Sequence, residues 1–264
     1  MRRIVAQCVA LMLLAVSASS YAGRSCEAFQ PSADTVMQAM ELALRTRQAL
    51  DDSGAQLAFI GRVGQDLSKY HLRYSHMGIV WRDSPKGRWI VVHELNQCGT
   101  AESALYNEGL GNFFLDNMFA YEALVIIPEP DVQQKMIALM SSDAPKRLHM
   151  QHYNMLAYPF SELYQNSNQW VLEMLAAAGA KDAAIDTRSQ AQAWLKMTGY
   201  HATTLDIPAM TRLGARMFRA NVAFDDQPFD RRMAGMIDTV TVDSVVQFME
   251  LRKMEASKQV LAYP

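Results

Sequence analysis

Residues 75–95 read SHMGIVWRDSPKGRWIVVHEL. Two apolar, β-branched runs, 75–81 and 88–95, flank Asp83-Ser84-Pro85-Lys86-Gly87. Each of these turn residues favours a reversal: Asp and Ser bond to nearby backbone, Pro presets φ, and Gly reaches positive φ. The segment predicts a β-hairpin. If all five residues form the turn, Arg82 stands opposite Arg88 and His76 lies directly across from Glu94. Cross-strand neighbours have Cβ atoms about 5 Å apart. A carboxylate at that distance fixes the imidazole tautomer and stabilises its charged form.

Working outward, 57–63 (LAFIGRV) reads as a preceding strand, and 33–50 as a helix capped by Ser32 and ended by Asp51-Asp52-Ser53-Gly54. Downstream, 121–127 is another strand, stopped by Pro128 and Pro130, and 131–140 a short helix. Residues 166–178 predict a stronger helix, with Trp170, Val171, Met174, Leu175 and Ala178 on one stripe and Gly179 at C′. Helices follow at 190–196, 210–218 and 242–253. Strands and helices are segregated rather than alternating, which predicts an α+β fold with a small antiparallel sheet. No repeat or Pro/Gly/Ser-rich linker divides the chain. The expectation is one domain over 23–264, with a core at 57–179 and a helical extension from about 185.

The N-terminus reads as a secretory signal. Arg2 and Arg3 precede an apolar run at 4–16 that is too short to span a bilayer, and Ser20-Tyr21-Ala22 supplies small residues for cleavage before Gly23. A periplasmic or secreted location follows. The segment up to Ala22 holds two arginines and no acid, so the remainder carries 23 basic against 27 acidic side chains, a balance of −4. With no Lys/Arg block, neither nucleic acid nor an anionic membrane is an expected partner, and no stable membrane anchor is expected. Cys26 and Cys98 remain, and an oxidising compartment favours a disulfide between them, with two buried free thiols as the alternative.

The chemical candidates are His76, Glu94 and Ser167. Ser167 begins the 166–178 helix, where N–H groups and the helix dipole favour a developing negative charge; as a plain N-cap it would have no chemical role. His93-Glu94 opens like a metalloprotease motif, but Gln97 stands where the second His is required. His149 and His152 lack a nearby acid or thiol. No metal or cofactor is expected.

Four stretches together, LAFIGRVGQDLSKYHLRYSHMGI (57–79), RWIVVHEL, YEALVIIP and YQNSNQWVLEMLAAAG, resemble a circularly permuted papain-like hydrolase of the NlpC type. In that group a strand beginning SHxGI carries the catalytic His, the next strand a polar third residue, and a later helix start the Cys nucleophile. The resemblance implies His76 as general base, Glu94 as its orienting partner and Ser167 in the place of the nucleophile. Tyr164, Trp170 and Val171 match the same helix-start pattern. The departure is Ser for Cys: a hydroxyl does not ionise as a thiol does and needs His76 to take its proton during attack. The chain including RLGARMFRANVAFDDQP (212–228) also resembles a bacterial domain-of-unknown-function family, number 2145. Two functions follow as expectations. One is an exported hydrolase or acyltransferase acting on an unidentified amide or ester, with cell-wall peptide, lipid and protein amides all open. The other is a catalytically inactive envelope binding or scaffold protein.

Overall fold

The computed structural model describes residues 29–181 and 183–263. The signal segment and Cys26, and with Cys26 the expected bridge to Cys98, lie outside the described residues.

Six strands form one antiparallel sheet: β1 (Leu57–Val63), β2 (His76–Ser84), β3 (Gly87–Asn96), β4 (Ser103–Gly109), β5 (Ala120–Pro128) and β8 (Glu255–Ala262). Their order is β4-β3-β2-β1-β5-β8, and β6 (Thr203–Asp206) pairs with β7 (Met236–Thr239) as a separate ribbon. The architecture is α+β, as the segregation of elements predicts. The C-terminal third, expected to be helical, also supplies the β6–β7 ribbon and the edge strand β8.

Helices cover both faces of the sheet. On one face lie α1 (Ala33–Asp52) and the short α2 (Leu110–Phe114). Leu42, Leu50 and Phe113 there pack against Ile60, Val80, Val91 and Val125. On the other face α5 (Ser167–Gly179) sets Trp170, Val171, Met174 and Leu175 against Phe59, Met77, Ile79 and Val92. The helices α3 (Pro130–Met140), α4 (Ala144–Arg147), α6 (Arg188–Met197) and α9 (Val242–Leu251) complete the fold, apart from α7 and α8 described below. Two-sided cover explains why all seven residues of β1 are buried and why LAFIGRV, apart from Arg62, is an apolar run rather than an alternation. Each fully buried Leu, Val or Met stabilises by roughly 1.5–3 kcal/mol, so α5, buried at eleven of its thirteen positions, is pinned to the sheet.

Ser32 caps α1 as expected, its hydroxyl accepting from the Thr35 N–H at 3.1 Å. Gly179 is not a left-handed C′ residue but the last helical one. A Cβ there would lie 2.6 Å from Met254 Cε and 2.9 Å from Trp194, so its role is close packing.

Candidate functional site

The hairpin forms, but with a shorter turn. Ser84 pairs with Gly87 and Asp83 with Arg88, leaving Pro85 and Lys86 to reverse the chain. Gly87 takes φ +138°, and the Ser84 hydroxyl accepts from the Lys86 N–H at 3.3 Å. The register is therefore one residue away from the Arg82–Arg88 alignment, and a one-residue change exchanges the faces of a strand. Ile79 stands opposite Val92, and the same register extended would set Gly78 against His93 and Met77 against Glu94. His76 is thus not across from Glu94. Glu94 points to the α5 face and His76 to the α1 face.

His76 meets His93 instead. Its Nε2 lies 2.9 Å from His93 Nδ1, and the rings cross edge to face with centroids 5.1 Å apart. His93 Nε2 lies 3.2 Å from Glu108 Oε2 on β4. Burial lowers the His93 pKa, with the Arg62 charge acting in the same direction against the pull of Glu108. A neutral His93 donating to Glu108 accepts at Nδ1. His76 then donates from Nε2, and its Nδ1 carries the lone pair. Gly78 makes room for this chain: a Cβ there would lie 2.8 Å from Val91 and 3.1 Å from His93 Cβ, so its absence serves the neighbouring strand. Arg62, opposite His76 on β1, donates to the Phe113 carbonyl, pairs with Asp116 at 2.7 Å and stacks 4.8 Å over the Phe113 ring.

Ser167 comes to the same end of β2 from the other face. Asn166 is the N-cap, its side chain accepting from the Gln169 N–H at 2.9 Å, so Ser167 is the first helical residue and not the cap. Asn168 ties the helix start to the strand, accepting from the Met77 N–H at 3.0 Å. The Ser167 hydroxyl is 3.5 Å from that of Tyr153, and Ser167 is 6 % exposed. Burial pushes the Tyr153 phenol up to about 12, and the nearby Glu94 charge adds to this, opposed by Ser167.

Glu94 is fully buried, and neither carboxyl oxygen has a hydrogen-bond partner among the described residues. The nearby Ser103 hydroxyl favours its ionised form, but is engaged with His149 Nε2 at 3.0 Å and the Met150 carbonyl at 3.2 Å. Burial dominates, with the Glu173 charge adding to it, and lifts the Glu94 pKa to about 8. At neutral pH this residue is mainly a neutral acid, unlike the carboxylate that the His76–Glu94 alignment would require.

His76 and Ser167 line one cavity of about 300 Å³, together with Ser75, Asn168, Tyr153 and Asn221. His76 and Ser167 therefore border one space from opposite faces of the sheet, and Glu94 is not part of its lining. His93 and Glu108 were missed. The parity of WIVVHEL, which groups Trp89, Val91 and His93, is the signal that finds His93 once the turn is taken as two residues. Tyr164 stays outside the cavity: its hydroxyl lies 3.2 Å from both oxygens of Asp225, and its ring packs against His152. His149 and His152 sit outside any helix, one on Ser103 and one on Tyr164. Among the described residues there is no cluster of three His, Cys, Asp or Glu side chains able to hold a metal.

No curated protein and no solved structure matches the chain. Its residues 49–249 match a family described as an uncharacterized protein conserved in bacteria (DUF2145), and the chain belongs to that family.

Proposed function

We propose that this chain is an exported hydrolase or acyltransferase. It opens an amide or ester through an acyl-Ser167 intermediate, on a permuted papain-like core of the NlpC type. The observation that carries the reading is the shared cavity: the imidazole backed by His93 and Glu108 and the serine at a helix N-terminus border the same space. In the proposed step the Ser167 Oγ attacks the carbonyl carbon while its proton passes to His76 Nδ1. The oxyanion develops at the first-turn N–H groups of α5, with the Tyr153 hydroxyl beside it. The same proton then goes to the leaving amine or alcohol, and water or an acceptor alcohol releases the acyl group. His93 and Glu108 hold the His76 tautomer, the role that the resemblance gave to Glu94.

A second reading, a binding protein without catalysis, is favoured by the small exposure of Ser167 and its contact with the Tyr153 hydroxyl. One experiment separates the two. A fluorophosphonate probe should label the protein, and Ser167→Ala or His76→Ala should abolish labelling. In Ser167→Cys, the neighbouring His and the helix N-terminus should speed iodoacetamide alkylation near neutral pH well above that of an exposed cysteine, and His76→Ala should remove the advantage. No labelling together with slow alkylation would leave the binding protein as the function.

The proposal includes export with cleavage after Ala22 and a Cys26–Cys98 bridge. Material from the periplasm should begin at Gly23 and yield the bridged peptide in non-reducing mapping; intact Met1 on cytoplasmic protein would end this part.

A further inference from the structure

The ten-residue helix α7 (Ala209–Phe218) carries a strong amphipathic pattern and none of its residues is buried. An ordinary surface helix turns its apolar stripe inward. This one does the reverse. Met210, Leu213, Met217 and Phe218 fall on one side at helical spacing and are 79 %, 54 %, 61 % and 58 % exposed. The opposite side faces the protein: Ala215 packs on a small cluster of Leu205, Ile207, Phe224 and Ile237, and Arg212 donates to the Ile207 carbonyl at 2.6 Å. The β6–β7 ribbon thus holds out an apolar stripe that the fold does not use. The short helix α8 (Phe229–Met233), in the same excursion, exposes Phe229 and Met233 as well.

The charge around the stripe identifies what covers it. Between Ile207 and Phe224 the chain has three arginines, at 212, 216 and 219, and no acid, although the whole sequence carries more acid than base. A second copy of the same helix would bring like charges together. An anionic lipid surface satisfies both features, with the apolar side chains entering the headgroup boundary and Arg216, exposed on the flank of the stripe, meeting lipid phosphates. We propose that α7 is a docking surface for an anionic phospholipid bilayer, making the protein peripheral to a membrane. Among the described residues no helix is long and apolar enough to cross one, so the contact lies in the plane of the interface. Arg219 and Asn221, which follow the helix directly, line the cavity shared by His76 and Ser167. Docking through α7 therefore sets that cavity next to the lipid surface. The inference does not depend on Ser167 being a nucleophile.

The test is flotation of the mature protein with vesicles of phosphatidylcholine alone, or of phosphatidylcholine with about one third phosphatidylglycerol. The protein should float with the anionic vesicles and lose the interaction as salt rises. Leu213→Glu/Met217→Glu should lower the partition coefficient by about tenfold or more, since each apolar side chain that enters the interface counts for roughly that factor. Its melting temperature should not change, because both side chains are already in solvent. Arg216→Glu should lower binding several-fold and remove the preference for phosphatidylglycerol. Failure of the parent protein to float would overturn the proposal, as would flotation that these variants leave intact. So would a concentration-dependent dimer in sedimentation velocity that Leu213→Glu/Met217→Glu dissolves, which would assign the stripe to a second copy.

Discussion

Glu173 and Glu94 are both fully buried, both on the α5 side of the sheet, and solve the burial of a carboxyl group in opposite ways. Glu173, in the middle of α5, is surrounded by donors. Arg188 reaches it at 2.8 and 3.2 Å, and the side-chain amides of Gln165, Gln169 and Gln192 donate at 2.6, 3.2 and 3.0 Å. Arg188 goes on to the carbonyls of Glu162 and Tyr164, so the same cluster fixes the segment that leads into α5. Glu94, at the end of β3, has no hydrogen-bond partner among the described residues and keeps its proton instead. Burial leaves the Glu173 carboxyl raised above its ordinary value too, but there Arg188 and the amide donors act against it. One acid is organised as a structural anion that positions the Ser167 helix. The other is a neutral group buried on the same side of the sheet. A buried acid is therefore no guide to charge until its donors are counted.

The largest effect should come from breaking the satisfied site. Arg188→Met leaves Glu173 without its counter-charge, and removing one partner of a buried pair costs about 3–5 kcal/mol. Urea unfolding at neutral pH measures it. Arg188→Met/Glu173→Met should recover most of the loss, because no buried charge then remains. A loss under about 1 kcal/mol in the single variant would mean that Glu173 takes up a proton at little cost, and that the two acids are alike after all.

The unsatisfied site should respond with the opposite sign. Glu94 has a folded pKa of about 8 against an ordinary value of 4.5. The folded state thus holds a proton that the unfolded chain releases near pH 4.5. The stability tied to that proton is full below pH 4.5 and is lost as pH rises toward 8. Glu94→Gln keeps the shape of the neutral acid and has nothing to titrate. At pH 8 it should be more stable than the parent by a few kcal/mol, because each tenfold change in proton affinity between the folded and unfolded chain is worth about 1.4 kcal/mol. Near pH 4 the two proteins should be about equally stable. The check is the difference in unfolding free energy between them from pH 4 to 9. A difference that does not grow with pH would show that Glu94 finds a stabilising partner when ionised.

This pair of acids also marks where the sequence could be read and where it could not. Strand β1 was legible to the residue as a short, nearly unbroken apolar run, and α5 and α6 nearly so, because their apolar positions recur at helical spacing. The hairpin was legible as a hairpin, yet Asp83-Ser84-Pro85-Lys86-Gly87 fits either a two- or a five-residue turn, and that single ambiguity decides which face carries Glu94. Strands β4 (SALYNEG) and β8 (EASKQVLA) were missed because they close the two edges of the sheet. Their outer sides are polar and exposed, so no local alternation announces them. Glu108, the far end of the His76–His93 chain, lies on one of these unseen strands. Arg188 lies fifteen residues from Glu173 in another helix, a pairing that no local pattern carries. Likewise the net charge of the chain hid the acid-free stretch around α7.

The smallest effect is the sharpest test of the comparison, because it asks whether the two acids sense each other. The Glu173 charge is one of the causes that raise Glu94, after burial, and the Arg188 charge acts against it. Glu173→Gln removes the anion and keeps Arg188, so both changes at Glu94 have one sign: its pKa should fall. The fall should be less than about one pH unit, the size expected for a charge acting through protein rather than in contact. It can be read from the side-chain carboxyl resonance of Glu94 in protein labelled with carbon-13 glutamate, with Glu94→Gln to assign the signal. A midpoint that does not move would mean that burial alone holds the proton on Glu94, and that the structural anion and the neutral acid are electrically separate. A midpoint that rises would mean that Arg188 has left its place when Glu173 loses charge. The cluster that holds the start of α5 would then depend on that charge, and the position of Ser167 with it.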